Sequence, residues 1–231
     1  MDVAVIGGTG AEGFGLAMRL AAAGHHVVIG SRDAERGAAS AAQASERAGA
    51  PVEGTENASA AAAAGRDGVV TVTVPYAGQA EIYRSIKDAV APDAVVLDAT
   101  SPLATAVGGR PWQALRPWHG SAAEQAQAIL GSGPRVVAGL HTIAAEALGA
   151  LGEDLDSDVL LCGDDPEAKA RVGELIDGIS GMRWVDCGRL EMARVAEPLT
   201  ALLVSINRTY RVKDSGFRIV GRDAWGAPAP R

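Results

Sequence analysis

The sequence has few of the features that mark secreted, membrane or metal-dependent proteins. Its 231 residues include two cysteines, Cys162 and Cys187, too few for a disulfide framework, and they predict reduced, buried thiols in a cytoplasmic protein. No run of about 18 or more apolar residues occurs, so no membrane span is expected. The four histidines have none of the spacings typical of metal ligands, and we expect no metal site.

Basic residues are also in deficit. The 21 lysines and arginines face 28 aspartates and glutamates, and the net charge of −7 argues against nucleic acid as a partner. A polyanionic ligand would therefore have to bind local arginines rather than a generally positive surface. The 48% of hydrophobic residues, with charges of both signs, exclude a wholly disordered chain.

The most informative stretch lies at the start of the chain. An apolar, β-branched run over residues 3–6 predicts a strand, and apolar residues at helical spacing follow from Leu16. Between them stands Gly8-x-Gly10-x-x-Gly13, where a dinucleotide fingerprint has to lie. Gly8 permits a tight turn, Gly10 lets the backbone approach a pyrophosphate, and Gly13 lets the helix pack closely on the strand. The free N–H groups of the helix start would face the phosphates.

The end of the second predicted strand, residues 26–30, indicates which dinucleotide is bound. An NAD site usually has an acidic residue there to accept a hydrogen bond from the ribose 2′-hydroxyl. This chain has Ser31 and Arg32, with Arg36 one turn further on, and these groups suit a 2′-phosphate. NADP(H) is therefore favoured over NAD(H). The alternative is a solvated arginine with Ser31 as helix N-cap; Asp33 can serve the helix start instead.

The rest of the chain predicts an α/β protein with a Rossmann-type, doubly wound and mostly parallel sheet. Continuous apolar strands alternate with helices, as in sheets covered on both faces. Further strands are predicted over residues 68–74, 94–98, 135–140, 159–163 and 182–185. Helices are predicted over residues 33–48, 59–64, 79–90, 122–130, 166–179 and 192–210.

The pattern changes in two places. Residues 103–120 predict a long surface loop, in which Trp112 and Trp118 could line a ligand or dock a partner subunit. Beyond residue 149 the pattern favours a smaller α+β lobe, so we expect a dinucleotide-binding domain over 1–150 and a C-terminal domain over 151–231. The final residues, 227–231, are expected to be disordered.

Other candidate site residues stand at strand ends, because ligands of open α/β sheets bind outside the carboxyl ends of the strands. Val74 and Pro75 end the third clear strand and suit a wall beside the cofactor, although a plain strand terminator explains them almost as well. His141 follows the strand that begins at Arg135. It could stabilise charge on a substrate, or it could be a hydrogen-bonded structural group.

Several motifs together resemble the NADPH-dependent reductases of the deazaflavin coenzyme F420. Beyond the fingerprint, which many dehydrogenases share, the resemblance rests on more specific blocks spread over residues 3–221. These blocks are Gly24-His25-x-Val27 leading to Gly30-Ser31-Arg32, Ser121-Ala122-Ala123-Glu124, Gly139-Leu140-His141-Thr142-Ile143, Cys162-Gly163-Asp164-Asp165, and Glu197-Pro198-Leu199-Thr200 with Gly216 downstream.

The resemblance implies direct hydride transfer between NADP(H) and coenzyme F420 in a cleft between two lobes, in a homodimer. It places NADP(H) on Thr9, Gly10, Ala11, Glu12, Ser31, Arg32 and Arg36, flanked by Val74 and Pro75. It places Ile143 against the nicotinamide ring, with Ala145 near the nicotinamide amide. His141, Thr200 and the turn of Ser215 and Gly216 would contact the deazaflavin. Pro198 and the longer 112–118 loop depart from the family pattern and bear on the deazaflavin contacts.

The sequence leaves two alternatives open. One is an NADP-dependent imine or hydroxyacid reductase, although such enzymes usually carry a longer, all-helical C-terminal domain with a proton donor such as lysine. The other is a non-catalytic module that senses NADP(H) and signals to a partner through the tryptophan-containing loop.

Overall fold

A computed structural model describes residues 1–226 and shows one eight-stranded sheet in that range. The strands are β1 (Asp2–Ile6), β2 (His26–Ser31), β3 (Val52–Glu56), β4 (Val69–Val72), β5 (Val95–Asp98), β6 (Arg135–Ala138), β7 (Ser157–Gly163) and β8 (Met182–Gly188). Their order is β3-β2-β1-β4-β5-β6-β7-β8. Strands β1 to β6 run parallel, β7 is antiparallel to β6, and β8 is parallel to β7. The predicted Rossmann-type, mostly parallel sheet is confirmed.

Helices cover both faces of this sheet. They are α1 (Ala11–Ala22), α2 (Ala34–Ala48), α3 (Asn57–Ala63), α4 (Tyr76–Ile86), α5 (Ala122–Leu130), α6 (Ala145–Gly149), α7 (Pro166–Asp177), α8 (Ala193–Ala196) and α9 (Leu199–Tyr210). The alternation of side chains along β1 divides the core into two layers. Val3 and Val5 pack with α1, α2 and α7, whereas Ala4 and Ile6 pack with α3, α4 and α5.

The structure differs from the prediction at the strand β3 and at the predicted helix over residues 192–210. The strand β3 was not predicted, because Glu53, Gly54 and Thr55 interrupt the apolar pattern. The prediction of one helix over 192–210 is wrong: the helical segments α8 and α9 are separate, and Pro198 lies between them. Proline has no N–H group to continue the hydrogen-bond ladder and clashes with the preceding turn. The expectation for the tail falls on residues 227–231, which lie outside the described residues.

The C-terminal part of the chain extends the same sheet. Strands β7 and β8 continue it from β6, and the apolar layer that contains Val3 also contains Leu155, Val159 and Met182. The buried Arg19 of α1 donates hydrogen bonds to the carbonyl oxygens of residues 147, 148, 150 and 153, at 2.6–3.1 Å. These bonds fix the segment that leads from α6 to β7. The division into domains at residue 150 stays a prediction.

No helix in the described range is long and apolar enough to cross a membrane. The thiols of Cys162 and Cys187 are both free; Cys162 is buried and Cys187 is half-buried.

Candidate active site

The carboxyl ends of the parallel strands meet at one edge of the sheet and surround a cavity of about 530 Å³. The sheet order changes direction at β1, which has β2 on one side and β4 on the other. This is the topological switch point at which doubly wound folds bind ligands. Seven predicted residues line the cavity, namely Thr9, Gly10, Ser31, Arg32, Arg36, Val74 and Pro75.

The fingerprint glycines form the tight connection from β1 to α1. Gly7 has a φ of +86°, a conformation that glycine adopts without strain, and the N–H of Gly10 donates to the Gly7 carbonyl at 2.9 Å. Gly8 is buried against Ile29, and a Cβ on Gly13 would lie 2.8 Å from the Gly7 oxygen. Gly10 is the N-cap of α1 and supplies no side-chain cap. The N–H groups of the first turn therefore remain available for an anion.

The positive charge of the cavity comes from Arg32 and Arg36. Neither guanidinium has a hydrogen bond or ion pair with the rest of residues 1–226, and both line the cavity beside Ser31. Asp33 is the N-cap of α2, since its carboxylate accepts the N–H of Arg36 at 2.8 Å. The alternative in which Ser31 caps this helix is therefore wrong. Asp33 and Glu81 also line the cavity, but the Asp33 carboxylate is engaged in capping α2. The two unpaired guanidinium groups therefore suit a phosphate monoester.

The other predicted contacts at this end differ in position. Ala11 lines an adjoining cavity of about 360 Å³ that also includes Thr9, Gly10 and Arg36. Glu12 is half-buried in the first turn of α1, where desolvation, with a contribution from Asp98, raises the pKa of its carboxyl to about 8. A neutral Glu12 adds no negative charge beside the helix start.

A second group of predicted residues meets at the end of β6. The Thr200 hydroxyl donates to the His141 carbonyl at 2.7 Å and accepts a hydrogen bond of 2.6 Å from Ser101 at the end of β5. The N–H of Ser215 donates to Asn207 on α9 at 3.3 Å. A Cβ on Gly216 would lie 3.7 Å from the Thr142 oxygen, so the turn of residues 215 and 216 lies against the 141–143 segment.

His141 is neutral at physiological pH. Its side chain is 7% exposed, and burial lowers the pKa of the imidazole to about 4. The His141 Nε2 and Ser215 Oγ atoms are buried and have no hydrogen-bond partner in residues 1–226. Buried polar atoms are nearly always paired, so two orphans in one cluster fit a site that a polar ligand completes.

Leu140 turns the chain into this cluster. Its φ of +70° is rare for a branched residue, and the N–H of Ile143 closes the turn onto the Leu140 carbonyl at 3.0 Å. Ile143 is 8% exposed in the apolar layer, and Ala145 begins α6 two residues later. The predicted residues from His141 to Ala145 thus lie at the same edge of the sheet as the cavity.

Several residues that line the main cavity were not predicted from the sequence. Asn57 at the start of α3 and Thr73 at the end of β4 line the main cavity, together with Gly7, Asp33, Gly78, Glu81 and Ile82. The Asn57 Oδ1 atom is buried and unpartnered within residues 1–226. Asn57 could not be predicted as a lining residue because β3 was not predicted, and β3 is the strand that brings the start of α3 to this edge.

Two buried acidic side chains, Asp98 and Glu197, connect the segments behind the site through hydrogen bonds. Asp98 accepts hydrogen bonds from Tyr83, Gln79 and the N–H of Thr100, at 2.6–2.9 Å. Burial still raises its pKa to about 6. The carboxylate of Glu197 accepts the N–H groups of Ala122 and Ala123, at 2.8 and 3.0 Å, at the start of α5.

Within residues 1–226, no proton relay of the short-chain-dehydrogenase type is formed. The Tyr-x-x-x-Lys spacing occurs at Tyr83 and Lys87, but the Tyr83 hydroxyl is fully buried, and burial beside Asp98 raises its pKa well above the usual value. Among the described residues, no group of three or more histidine, cysteine or acidic side chains is placed to hold a metal.

Fold and cavity together define the class of protein: a doubly wound α/β protein whose fingerprint turn and two unpaired arginines suit a phosphorylated dinucleotide. Comparison with known proteins narrows the class. The family model described as "NADP oxidoreductase coenzyme F420-dependent" matches residues 2–102. The chain is 44% identical to the F420-dependent NADP reductase of Methanothermobacter thermautotrophicus over 223 residues, 95% of this chain and 94% of that one. The chain belongs to this family.

Two further matches support the same family. The F420-dependent NADP reductase of Methanothermobacter marburgensis is 43% identical over 224 residues, covering 95% of this chain and 98% of that protein. A crystal structure described as an F420-dependent NADP reductase from Arthrobacter sp. FB24 superposes with a TM-score of 0.80 at 27% identity. That match covers 95% of this chain and 99% of the crystallised chain.

Proposed function

We propose that the protein is an NADPH:F420 oxidoreductase that transfers a hydride directly between NADP(H) and the deazaflavin ring. The observation that supports this most strongly is the meeting of two sites at one sheet edge. One is the fingerprint cavity with Arg32 and Arg36, and the other is the cluster around His141 and Thr200. Family membership favours this activity over an imine or hydroxyacid reductase and over a non-catalytic sensor.

The first site would hold NADP(H). The free N–H groups at the start of α1, after Thr9 and Gly10, would bind the pyrophosphate. Ser31, Arg32 and Arg36 would bind the 2′-phosphate, while Val74 and Pro75 cover the adjacent wall of the cavity. The raised pKa of Glu12 favours its neutral form, which lowers repulsion of the phosphates.

The second site would hold the deazaflavin. His141, Thr200 and the turn of Ser215 and Gly216 would contact the ring, and the orphan atoms His141 Nε2 and Ser215 Oγ offer it hydrogen bonds. Ile143 would press on the nicotinamide and set the distance between the rings, with Ala145 near the nicotinamide amide. A neutral His141 can donate or accept without adding charge.

The chemistry requires orientation more than acid–base catalysis. With both molecules bound, NADPH would supply the hydride from its C4–H bond, C5 of the deazaflavin would accept it, and solvent would supply one proton to the ring nitrogen. The contribution of the protein is to hold the reacting carbons about 3–3.5 Å apart and to exclude water.

We also propose a cytoplasmic location, the absence of a nucleic-acid partner and a homodimeric state. The free thiols of Cys162 and Cys187 suit the reducing cytoplasm, and the net charge of −7 disfavours a nucleic-acid partner. Val195 and Leu202, 60% and 50% exposed near the start of α9, provide apolar surface for a homodimer.

A spectroscopic assay tests the activity. The purified protein is mixed with NADPH and oxidised coenzyme F420, and the visible absorbance of the deazaflavin is followed. We expect the absorbance to fall with enzyme-dependent turnover. Tight NADPH binding with unchanged absorbance would favour the sensor, and turnover of a cyclic imine or a keto acid instead would favour the other class of reductase.

Replacing Arg32 by alanine tests the choice of dinucleotide. We expect NADPH binding to weaken by about 1.5–3 kcal/mol, roughly 10- to 150-fold, because a charged hydrogen bond to the 2′-phosphate is lost. NADH lacks this phosphate and should bind nearly as it does to the wild type. Calorimetric titration with both dinucleotides gives the two constants, and equal losses would show that Arg32 does not contact the 2′-phosphate.

A further inference from the structure

The loop over residues 103–120 and the helix α9 together form a group of side chains that the proposed hydride transfer does not use. The guanidinium carbon of Arg208 lies 4.2 Å from the ring centroid of Trp112, and that of Arg110 lies 5.4 Å from it. These three residues form what we call the arginine–tryptophan cluster. Stacking on one indole orders two cationic side chains that would otherwise sample many rotamers.

The cluster has no counter-charge in the described part of the chain. Neither Arg110 nor Arg208 forms an ion pair there, and the exposed Arg211 at the end of α9 is also unpaired. The positive charges of these arginines repel each other when they are held close together. This cationic group stands out in a protein whose net charge is −7. Attraction to the negative end of α9 accounts for Arg208 but not for Arg110, which lies on a different segment.

The cluster lies beside the proposed deazaflavin site. Thr200 and Arg208 are both on α9, and eight residues at the usual helical rise separate them by about 12 Å along the axis. The residue before Arg208, Asn207, accepts the N–H of Ser215 in the turn that adjoins the site. The 103–120 loop follows β5, and Ser101, between that strand and the loop, forms a hydrogen bond with Thr200.

We propose that the arginine–tryptophan cluster binds the anionic side chain of coenzyme F420. That side chain leaves the deazaflavin through a ribityl group and carries a phosphodiester followed by several glutamates. Guanidinium groups bind both phosphate and carboxylate through paired, charge-assisted hydrogen bonds. The inference rests on the proposed function, because it concerns the tail of the molecule whose ring that function places at His141.

A binding comparison tests the inference without catalysis. Two ligands are titrated in the absence of nicotinamide: coenzyme F420, and the ribityl deazaflavin that lacks the phosphate and glutamates. Fluorescence anisotropy of the deazaflavin gives both dissociation constants. The variants are Arg110→Gln, Arg208→Gln and the double substitution. Arg66→Gln is the matched control, an exposed arginine in the loop before β4, at the opposite edge of the sheet.

We expect each single substitution to weaken binding of coenzyme F420 by about fivefold, with a larger loss for the double variant. Binding of the tail-less deazaflavin, and the effect of Arg66→Gln, should stay within about twofold of the wild type. Added salt should weaken wild-type binding of the full coenzyme more than that of the double variant, because fewer charges remain to be screened.

Equal losses for the two ligands, or no loss in the double variant, would overturn the inference. Failure of the proposed function is a different result: the wild type would then bind or reduce neither deazaflavin. A wild type that reduces both ligands, together with a double variant that still prefers the full coenzyme as strongly, would reject the cluster and leave the proposed function intact.

Discussion

Replacing Gly13 by alanine is expected to remove most of the affinity for NADPH, with a loss of about 100-fold or more. The added Cβ would lie 2.8 Å from the Gly7 carbonyl oxygen and 2.9 Å from the Gly8 Cα, and it would also contact the Thr73 hydroxyl. Two of these neighbours are backbone atoms, so no change of rotamer relieves the contact. The helix start has to move away from β1, and the N–H groups that face the pyrophosphate move with it.

A matched control separates this effect from a general intolerance of alanine. Gly152 lies in the segment before β7, and a Cβ there would meet nothing within 4 Å. Gly152→Ala should therefore bind NADPH like the wild type. Urea unfolding establishes that Gly13→Ala is folded under the conditions of the titration. A folded Gly13→Ala variant with unchanged NADPH affinity would contradict the assignment of the β1–α1 turn as the pyrophosphate site.

The second large effect is expected at Ile143. Truncation to alanine should slow hydride transfer by about 100-fold while changing the dissociation constant of NADPH by less than about threefold. Ile143 is held by the turn that Leu140 begins, and it would lose the side-chain atoms proposed to fix the spacing of the two rings. Single-turnover stopped-flow measurement of deazaflavin absorbance gives the rate of the chemical step directly.

Burial complicates the reading of this variant, because removal of a buried isoleucine side chain also costs about 2–4 kcal/mol of stability. Ile179 provides the control. It is 3% exposed in the same apolar layer and lies in the connection between α7 and β8. Ile179→Ala should lose comparable stability and keep the wild-type hydride rate. If both variants slowed the chemistry equally, Ile143 would have no specific role in ring spacing.

The parts of the fold that were predictable from the sequence are those with a local cause. The fingerprint turn needs glycines at fixed spacing, and Asp33 begins α2 through a hydrogen bond within one turn. The strand β3 has no such local signal. Its Gly54 packs so closely against Gly37 of α2 that no side chain fits between them, which is a tertiary requirement.

In the site, too, features with a local cause in the sequence were predictable and features that depend on tertiary packing were not. The position of Ser31, Arg32 and Arg36 in the cavity was predictable, because the end of β2 lies at the dinucleotide edge of this fold. The neutral state of His141 depends on burial by distant segments, and the positive φ of Leu140 cannot be read from its side chain. Such features, like the stacking of Arg208 on Trp112, become visible only when the elements are assembled.

The direct passage of hydride from NADPH to the deazaflavin is tested most directly by isotope transfer. NADPH with deuterium at both C4 positions is incubated in ordinary water with the enzyme and oxidised coenzyme F420, and the product is analysed by mass spectrometry and NMR. Stacked rings predict one deuterium at C5 of the reduced deazaflavin. A reduced product without deuterium would contradict direct transfer, and the absence of any reduced product would contradict the activity itself.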